Sequence, residues 1–537
     1  MKIHLLSCIL LFLAAASAAA DGFAPVRKKL VGHGWDLLAA TPEEVLAHAD
    51  AFDRTGLDGV TLMVSGTMDG RRFSHSTVMN DPPWPRERLK DKVAVFREIV
   101  KHPSLKESFI SSWWAPRRRL AWNDDAAWGN FASNMATVAW MAKSGGLRGV
   151  LVDAEDYPRS AQYFLATNDA PYDVTARLAR RRGAQVFGEI FREFPDVVFL
   201  SFWMLSLHPE YFSAANPMDA ARAKGDLWPW FVNGMLDVMP PTARFVDGNE
   251  HAYRYEAEKG QFYRSACQQR TAALGLVAPE NRQKYLAQLR AGFGLYLDSY
   301  VNPTNSPWYF GPVDGSRLAH FARNLAQAVD AADEYVWVYG EKKAWVPWKG
   351  TKSGRFDGRE TWDGALPGFD DEMCGVKAPL ELLRRRLAEL GDGRAAANLA
   401  ARATRPWPVW QDERKPRGRS GAEGAAVFLA GVANGCHLVH VRGVRPGERH
   451  GVRLRMKGAG GSAVVYWQKD GRWQWQLPGV PVGFGPAGAD GWRPGEAVMR
   501  VPEGADALVL QLAAHQRPED KVSFDSVEII KLSKTEK

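Results

Sequence analysis

The chain has 537 residues, of which 46% are hydrophobic and 24% charged, with a formal net charge of +8. That length exceeds one ordinary hydrophobic core and that balance excludes a disordered chain, so two or more globular domains are expected. The runs "PRRRL" (116–120), "ARRRG" (179–183) and "LLRRRLAEL" (382–390) concentrate the basic charge; the last two read as solvated helix faces, and if any polyanion binds, an acidic glycan fits an exported protein better than a nucleic acid.

Taken in chain order, Lys2 and His4 precede the apolar run "LLSCILLFLAAASAAA", and Ala16-Ser17-Ala18 or Ala18-Ala19-Ala20 supplies a small-residue cleavage site. Residues 1–20 are therefore expected to be a cleaved signal peptide, which makes the protein secreted or periplasmic. No second apolar run of spanning length follows, so a soluble mature chain without a membrane partner is expected. Loss of Cys8 would leave Cys267, Cys374 and Cys436, which allow one disulfide or three free thiols and form no metal or redox cluster.

Eight short apolar segments then recur between helix-like stretches. They are "KLVGHGWD" (29–36), "GVTLMV" (59–64), "SFISSWW" (108–114), "GVLVDAED" (149–156), "VVFLSFWML" (197–205), "ARFVDGNE" (243–250), "GLYLDSY" (294–300) and "YVWVYGEK" (335–342). Between them, "TPEEVLAHADAF" opens on a capping box, with Thr41 as N-cap and Glu44 three residues on, and "ERLKDKVAVFREIVKH" and "RLAHFARNLAQAVDAADE" have helical periodicity. Eight strands alternating with helices predict a (β/α)8 barrel over residues 21–400. An open doubly wound sheet is disfavoured, because "GHGWD" after the first strand is not a phosphate-binding glycine turn.

Residues 401–422, rich in Pro and Arg, are expected to be a linker or irregular boundary. Beyond them, "HGVRLRMKG", "SAVVYWQKD", "DALVLQLAA" and "KVSFDSVEIIKL" alternate with turns such as "KDGR", which predicts an antiparallel β-sandwich over 423–537. "VPEGADALVLQLAA" followed by "VSFDSVEII" resembles the last strands of jelly-roll carbohydrate-binding modules of the galactose-binding-like group. Trp467, Trp473 and Trp475 are either a glycan platform or sandwich core.

In a (β/α)8 barrel the site lies at the C-terminal strand ends. Here those ends carry Trp35 and Asp36, Trp113 and Trp114, Asp153 and Glu155, Trp203, Asp247 and Glu250, Asp298, then Tyr339, Glu341 and Trp345. Tryptophans stack on sugar rings, while carboxylates bind hydroxyls and transfer protons. Asp153 and Glu155, two apart, share a side, and crowding two carboxyls raises one pKa. The expectation is a glycoside hydrolase with Glu155 as general acid/base, Asp153 as its pKa-setting neighbour, and Glu341, or else Glu250 with Asp247, as second carboxylate. Trp35, Asp36, Trp113, Trp114, Trp203, Asp298, Tyr339 and Trp345 are the expected substrate contacts, a polysaccharide or oligosaccharide the expected partner, and neither cofactor nor metal is expected.

"GLRGVLVDAEDYP" resembles the strand-four signature of family 18 chitinases: Gly149, Asp153, Glu155, Tyr157 and Pro158 match, while Arg148 and Leu151 replace its first two aspartates and Asp156 is inserted. Over residues 28–350 the chain also resembles uncharacterised barrel hydrolases secreted by environmental bacteria. Two other readings remain open: a non-catalytic glycan-binding protein on a degenerate barrel, and a polysaccharide lyase or esterase. No G-x-S-x-G, H-E-x-x-H or Walker motif is present, and "DDEMC" (370–374) reads as a solvated loop.

Overall fold

The computed structural model describes residues 27–532 except 69, 157–159, 207–208, 314 and 404–405. The expected leader at residues 1–20 lies outside these, as do Tyr157 and Pro158 of the strand-four motif. All eight apolar segments contain strands. They are β1 (Lys29–Gly34), β2 (Gly59–Leu62), β3 (Phe109–Trp113), β4 (Gly149–Asp153), β5 (Val198–Ser201), β6 (Arg244–Asp247), β7 (Leu289–Ala291 and Phe293–Tyr296) and β8 (Tyr335–Gly340).

Every neighbouring pair is parallel, and β8 pairs with β1 from Lys29↔Tyr335 to Gly34↔Gly340. The ring closes through β7, whose first piece pairs with β6 and whose second pairs with β8. Gly292 forms the break. Its N–H donates to the Asp247 carbonyl at 2.9 Å, and a Cβ there would stand 2.6 Å from Val246. β7 thus begins five residues before the apolar segment read from the sequence, and Asp298 lies in a 3-10 turn beyond it. The molecule is a (β/α)8 barrel followed by a β-sandwich.

Helices cover the barrel. The Thr41 capping box is present, with Thr41 N–H donating to Glu44 at 2.7 Å. α1 (Lys90–Ile99), α2 (Asp125–Ser144), α3 (Tyr172–Glu193), α4 (Trp228–Val238) and α5 (Arg317–Ala331) follow. α3 and α4 meet at backbone distance: a Cβ on Gly183 would lie 2.0 Å from the Phe231 carbonyl, and one on Gly234 would lie 2.0 Å from that of Arg180. The "ARRRG" run is not wholly solvated, since Arg182 is buried and reaches Asp125 and the Trp122 carbonyl.

An ion network closes the N-terminal end of the barrel. Lys29 pairs with Glu334, Glu107 takes Arg148 at 3.3 Å and the Tyr335 hydroxyl at 2.9 Å, and Arg244 reaches Glu334 at 3.2 Å. Any site must therefore open at the other end.

The C-terminal part is two six-stranded antiparallel sheets packed on their own core. Sequence placed its start at 423, but Val409–Gln411 and Arg419–Glu423 are strands of those sheets, and Ala400 and Trp407 belong to the core. The predicted linker thus contains strands of both sandwich sheets and the core residue Trp407. "DDEMC" is likewise no loop: it lies in α6 (Phe369–Lys377), where buried Glu372 accepts from Arg449 at 2.9 Å and Arg500 at 2.5 Å across the domain contact. α7 (Pro379–Leu390) adds Leu382, Leu383 and Leu387 against Ile530 and Leu532. The three cysteines are free, with Cys267 exposed and Cys436 buried. Among the described residues no helix is long and apolar enough to cross a membrane.

Candidate active site

A cavity of about 640 Å³ opens at the C-terminal ends of the barrel strands. Three glutamates from three strand ends line it: Glu155 after β4, Glu250 after β6 and Glu341 after β8.

At the end of β4 the backbone is turned by Asp153, whose Oδ1 accepts the Glu155 N–H at 2.8 Å. The Trp113 indole N–H holds the Glu155 carbonyl at 2.9 Å. Asp156 continues the turn by accepting from Ser160 Oγ at 2.6 Å and Gln162 N at 3.1 Å. Burial, reinforced by the charge of Glu155, pushes the Asp153 carboxyl up to about 8 despite the hydrogen bond it accepts.

The "DGNE" segment after β6 is a tight corner. A Cβ on Gly248 would stand 2.4 Å from the Ser201 carbonyl, and the Trp337 indole donates to the Gly248 carbonyl at 2.8 Å. Asn249 takes φ 38°, which Asn tolerates better than most residues, and its amide reaches Ser265 at 2.6 Å. This corner starts the 3-10 turn Glu250–Arg254. Glu250 is pushed up to about 9, first by burial and then by the charges of Glu155 and Asp153, against a hydrogen bond with Tyr253. It therefore keeps its proton at neutral pH.

Glu341 is fixed from two sides. Its N–H donates to Asp298 at 2.8 Å, and the Tyr339 hydroxyl donates to its carboxylate at 2.9 Å. Burial, then the charge of Glu341, lifts Asp298 to about 6, with the N–H of Glu341 and the Lys342 ammonium opposing.

Aromatic rings fill the walls. Tyr253, Tyr296 and Tyr339 lie near-parallel with centroids 5.3–6.0 Å apart, and Trp308 stands edge-on to Tyr296 at 5.5 Å. The Arg254 guanidinium lies 3.9 Å over Trp308. Trp203, Trp228 and Tyr163 also line the cavity, Tyr163 meeting Trp228 at 4.7 Å. Beneath them His33 stacks on Tyr339 at 5.3 Å and bonds Thr61 at 2.7 Å. Burial, with a smaller effect of His75, lowers it to about 3, so the imidazole is neutral.

Of the residues expected from sequence, Glu155, Glu250, Glu341, Trp203 and Tyr339 line this cavity, and Asp153 and Asp298 stand directly behind it. The others need correction. Trp114 is fully buried against Phe131, Phe187 and Phe199, outside the ring rather than at its rim. Trp345 is buried, with its indole donating to the His33 carbonyl at 3.1 Å. Asp36 is buried and accepts from Trp345 N at 2.7 Å and the Trp348 indole at 2.9 Å, so it ties the segment after β8 to β1. Asp247 accepts from the N–H groups of Met204, Leu205 and Ser206 and from the Ser206 hydroxyl, which leaves it a loop anchor and not an acid. Trp35 is 39% exposed in a separate depression under Arg355. Trp113 supports Glu155 without lining the cavity.

Tyr163, Trp228, Arg254, Tyr296 and Trp308 were missed. Trp308 lies in the Pro- and aromatic-rich stretch after β7, "VNPTNSPWYFGP"; an apolar loop at a barrel's C-terminal face was the available signal. Among the described residues no group of three His, Cys, Asp or Glu is placed to hold a metal.

No family model matches the chain and no curated protein matches it. Among solved structures it is similar to a GH18 chitinase from Pseudoalteromonas aurantia, at 12% identity and TM-score 0.29 over 64% of this chain and 100% of that one. A D-allulose 3-epimerase from Methylomonas sp. gives 11% identity and TM-score 0.32 over 68% and 99%. TmCBM61 in complex with β-1,4-galactotriose gives 12% and 0.19 over 25% and 94%. Of the bacteriophage CBA120 tailspike protein 4 domain, the chain spans 21%.

Proposed function

We propose that the protein is an exported glycoside hydrolase acting on a polysaccharide or oligosaccharide bound in this cavity. The observation that carries the reading is the buried Glu250 carboxyl, pushed up to about 9, sharing one aromatic-walled cavity with Glu155. Glycosidic cleavage needs a proton for the leaving oxygen and an ionised carboxylate to attack the anomeric carbon or to activate water. Glu250 supplies the proton. Glu155, whose charge helps to keep that proton in place, acts as the ionised partner, and Asp153 fixes the turn that aims it. Glu341, held by Tyr339 and Asp298, binds sugar hydroxyls from the far side of the mouth, since β8 stands opposite β4 in the ring. The tyrosines, Trp203 and Trp308 offer ring faces to the C–H faces of pyranoses.

The test is reducing-sugar release from a panel of neutral and acidic polysaccharides. Glu250→Gln and Glu155→Gln should each lower the rate at least about a hundredfold, the size of general acid or base catalysis. Added azide should restore turnover to Glu155→Gln only where that residue is nucleophile or base. Cleavage at the wild-type rate by both variants, or none by the wild type on any substrate, would sink the assignment.

A further inference from the structure

Beside the cavity runs a second groove, of about 950 Å³, lined by Tyr300, Arg317, Lys342, Lys343, Arg359 and Glu360 among others. It abuts the candidate active site. Lys342 follows Glu341 in the chain, and Asp298, which holds the Glu341 N–H, opens the turn that ends at Tyr300. Four cations thus meet one carboxylate among the described lining residues, and that carboxylate, Glu360, pairs with Lys343.

The hydrogen bonds of the other three cations go to neutral groups, and Lys342 also acts on the Asp298 carboxyl behind Glu341. Arg317 gives one nitrogen to the Tyr300 and Asn302 carbonyls, at 3.3 and 2.8 Å, and lies 4.9 Å over the Tyr309 ring. Arg359 gives one nitrogen to the Lys342 carbonyl at 3.1 Å and covers Phe356. Lys342 reaches the Asn302 side-chain oxygen. A guanidinium carries five N–H donors in a fork that matches a planar anion, and the contacts here use one nitrogen of each. These hydrogen bonds hold the side chains in place and leave the two guanidinium charges on neutral partners, which is how a preformed anion site differs from a mobile charged surface.

We infer that this groove binds an anionic sugar residue of the same glycan, a carboxylate or sulfate group one or more units from the bond cleaved at Glu250 and Glu155. The inference rests on the glycosidase reading and narrows its substrate to acidic glycans. Arg254 on Trp308 inside the cavity is a further cation on the same path.

The experiment is titration calorimetry on the full chain with a galacturonate hexamer, its methyl-esterified counterpart and a sulfated galactan hexamer, at low and at physiological salt. The Glu250→Gln protein is used where the wild type cleaves. The expected result is binding of an acidic hexamer at least about tenfold tighter than the neutral one, weakening with salt. The Lys342→Gln/Arg359→Gln double variant, whose substitutions are exposed and whose melting point serves as the folding control, should lose that preference. Whichever acidic hexamer binds identifies carboxylate or sulfate. Equal binding of acidic and neutral hexamers, an unchanged double variant, or equally tight binding of a DNA oligomer or of inorganic phosphate alone would overturn it. Cleavage of a neutral glycan without acidic preference removes the groove and keeps the hydrolase; acidic binding that the double variant loses, with no cleavage of any glycan, keeps the groove and removes the hydrolase.

Discussion

Replacing Glu250 by Gln should destroy activity and stabilise the protein, and the second effect can be sized from the structure. In the fold this carboxyl holds its proton up to about 9, against 4.5 for the unperturbed group. The unfolded chain therefore releases a proton that the folded chain retains throughout the interval between these values. Stability from this group is fully present below 4.5 and is lost as pH rises toward 9. One pKa unit corresponds to about 1.4 kcal/mol, so at pH 7 the neutral folded carboxyl makes folding less favourable by about 3 kcal/mol. Glutamine fills the same space with no proton to lose. The variant should melt roughly 4 °C above wild type at pH 7 for a domain of this size, with the gap closing toward pH 4.5. The assay is calorimetric melting of both proteins at pH 4.5 to 9, taking the difference so that Asp153, which titrates in the same direction, cancels to first order. If the two proteins keep the same difference at every pH, Glu250 is not held protonated, and its role as proton donor goes with it.

Asp247→Ala leaves the N–H groups of Met204, Leu205 and Ser206 buried without their acceptor, which should destabilise the barrel by about 4 kcal/mol in urea unfolding. Gly234→Ala places a methyl 2.0 Å from a main-chain oxygen that cannot rotate away and should destabilise by about 3 kcal/mol. Gly188→Ala in the same helix pair meets nothing within 4 Å and should stabilise by about 0.5–1 kcal/mol. Glu372→Ala removes the buried carboxylate that Arg449 and Arg500 share and should weaken the domain contact by about 3–5 kcal/mol, splitting one calorimetric transition into two.

The barrel was legible because its strands are buried on both faces and so read as continuous apolar runs between amphipathic helices. β7 was misplaced because Gly292 interrupts it and "LRAGFGLY" then shows no unbroken run. The linker was misread because edge strands such as Arg419–Glu423 are mostly exposed and carry little apolar alternation. Tryptophan at a strand end proved a poor guide. Trp113 and Trp114 are adjacent, so strand alternation sends them to opposite faces, and at most one could have pointed into the barrel. Of the C-terminal tryptophans, Trp467 is core, whereas Trp473 and Trp475 stack at 4.8 Å with Trp475 64% exposed.

The excess of carboxylates at the strand ends, which first marked this rim, divides by side-chain length at every position but Asp156. Asp36, Asp153, Asp247 and Asp298 each accept a main-chain N–H from the loop they begin or face. Glu155, Glu250 and Glu341 line the cavity, and of the strand-end aspartates Asp156 both closes a turn to Gln162 and reaches the cavity. The division has a steric cause. An Asp carboxylate sits close enough to its own backbone to close a turn two residues on or to clamp the neighbouring loop, whereas one more methylene carries a Glu carboxylate past the turn and into the space above the barrel. Counting both kinds together overstates the catalytic set and hides its construction, in which Asp153 aims Glu155 and Asp298 holds Glu341. The same reasoning predicts that Asp153→Glu, which keeps the carboxyl group, should fail to hold the Glu155 N–H and lower turnover at least about tenfold with KM little changed. Steady-state kinetics of that variant against Asp153→Asn, which keeps the acceptor oxygen and the side-chain length, test the point. If Asp153→Asn is the more damaged of the two, the titratable carboxyl at this position matters and the turn does not.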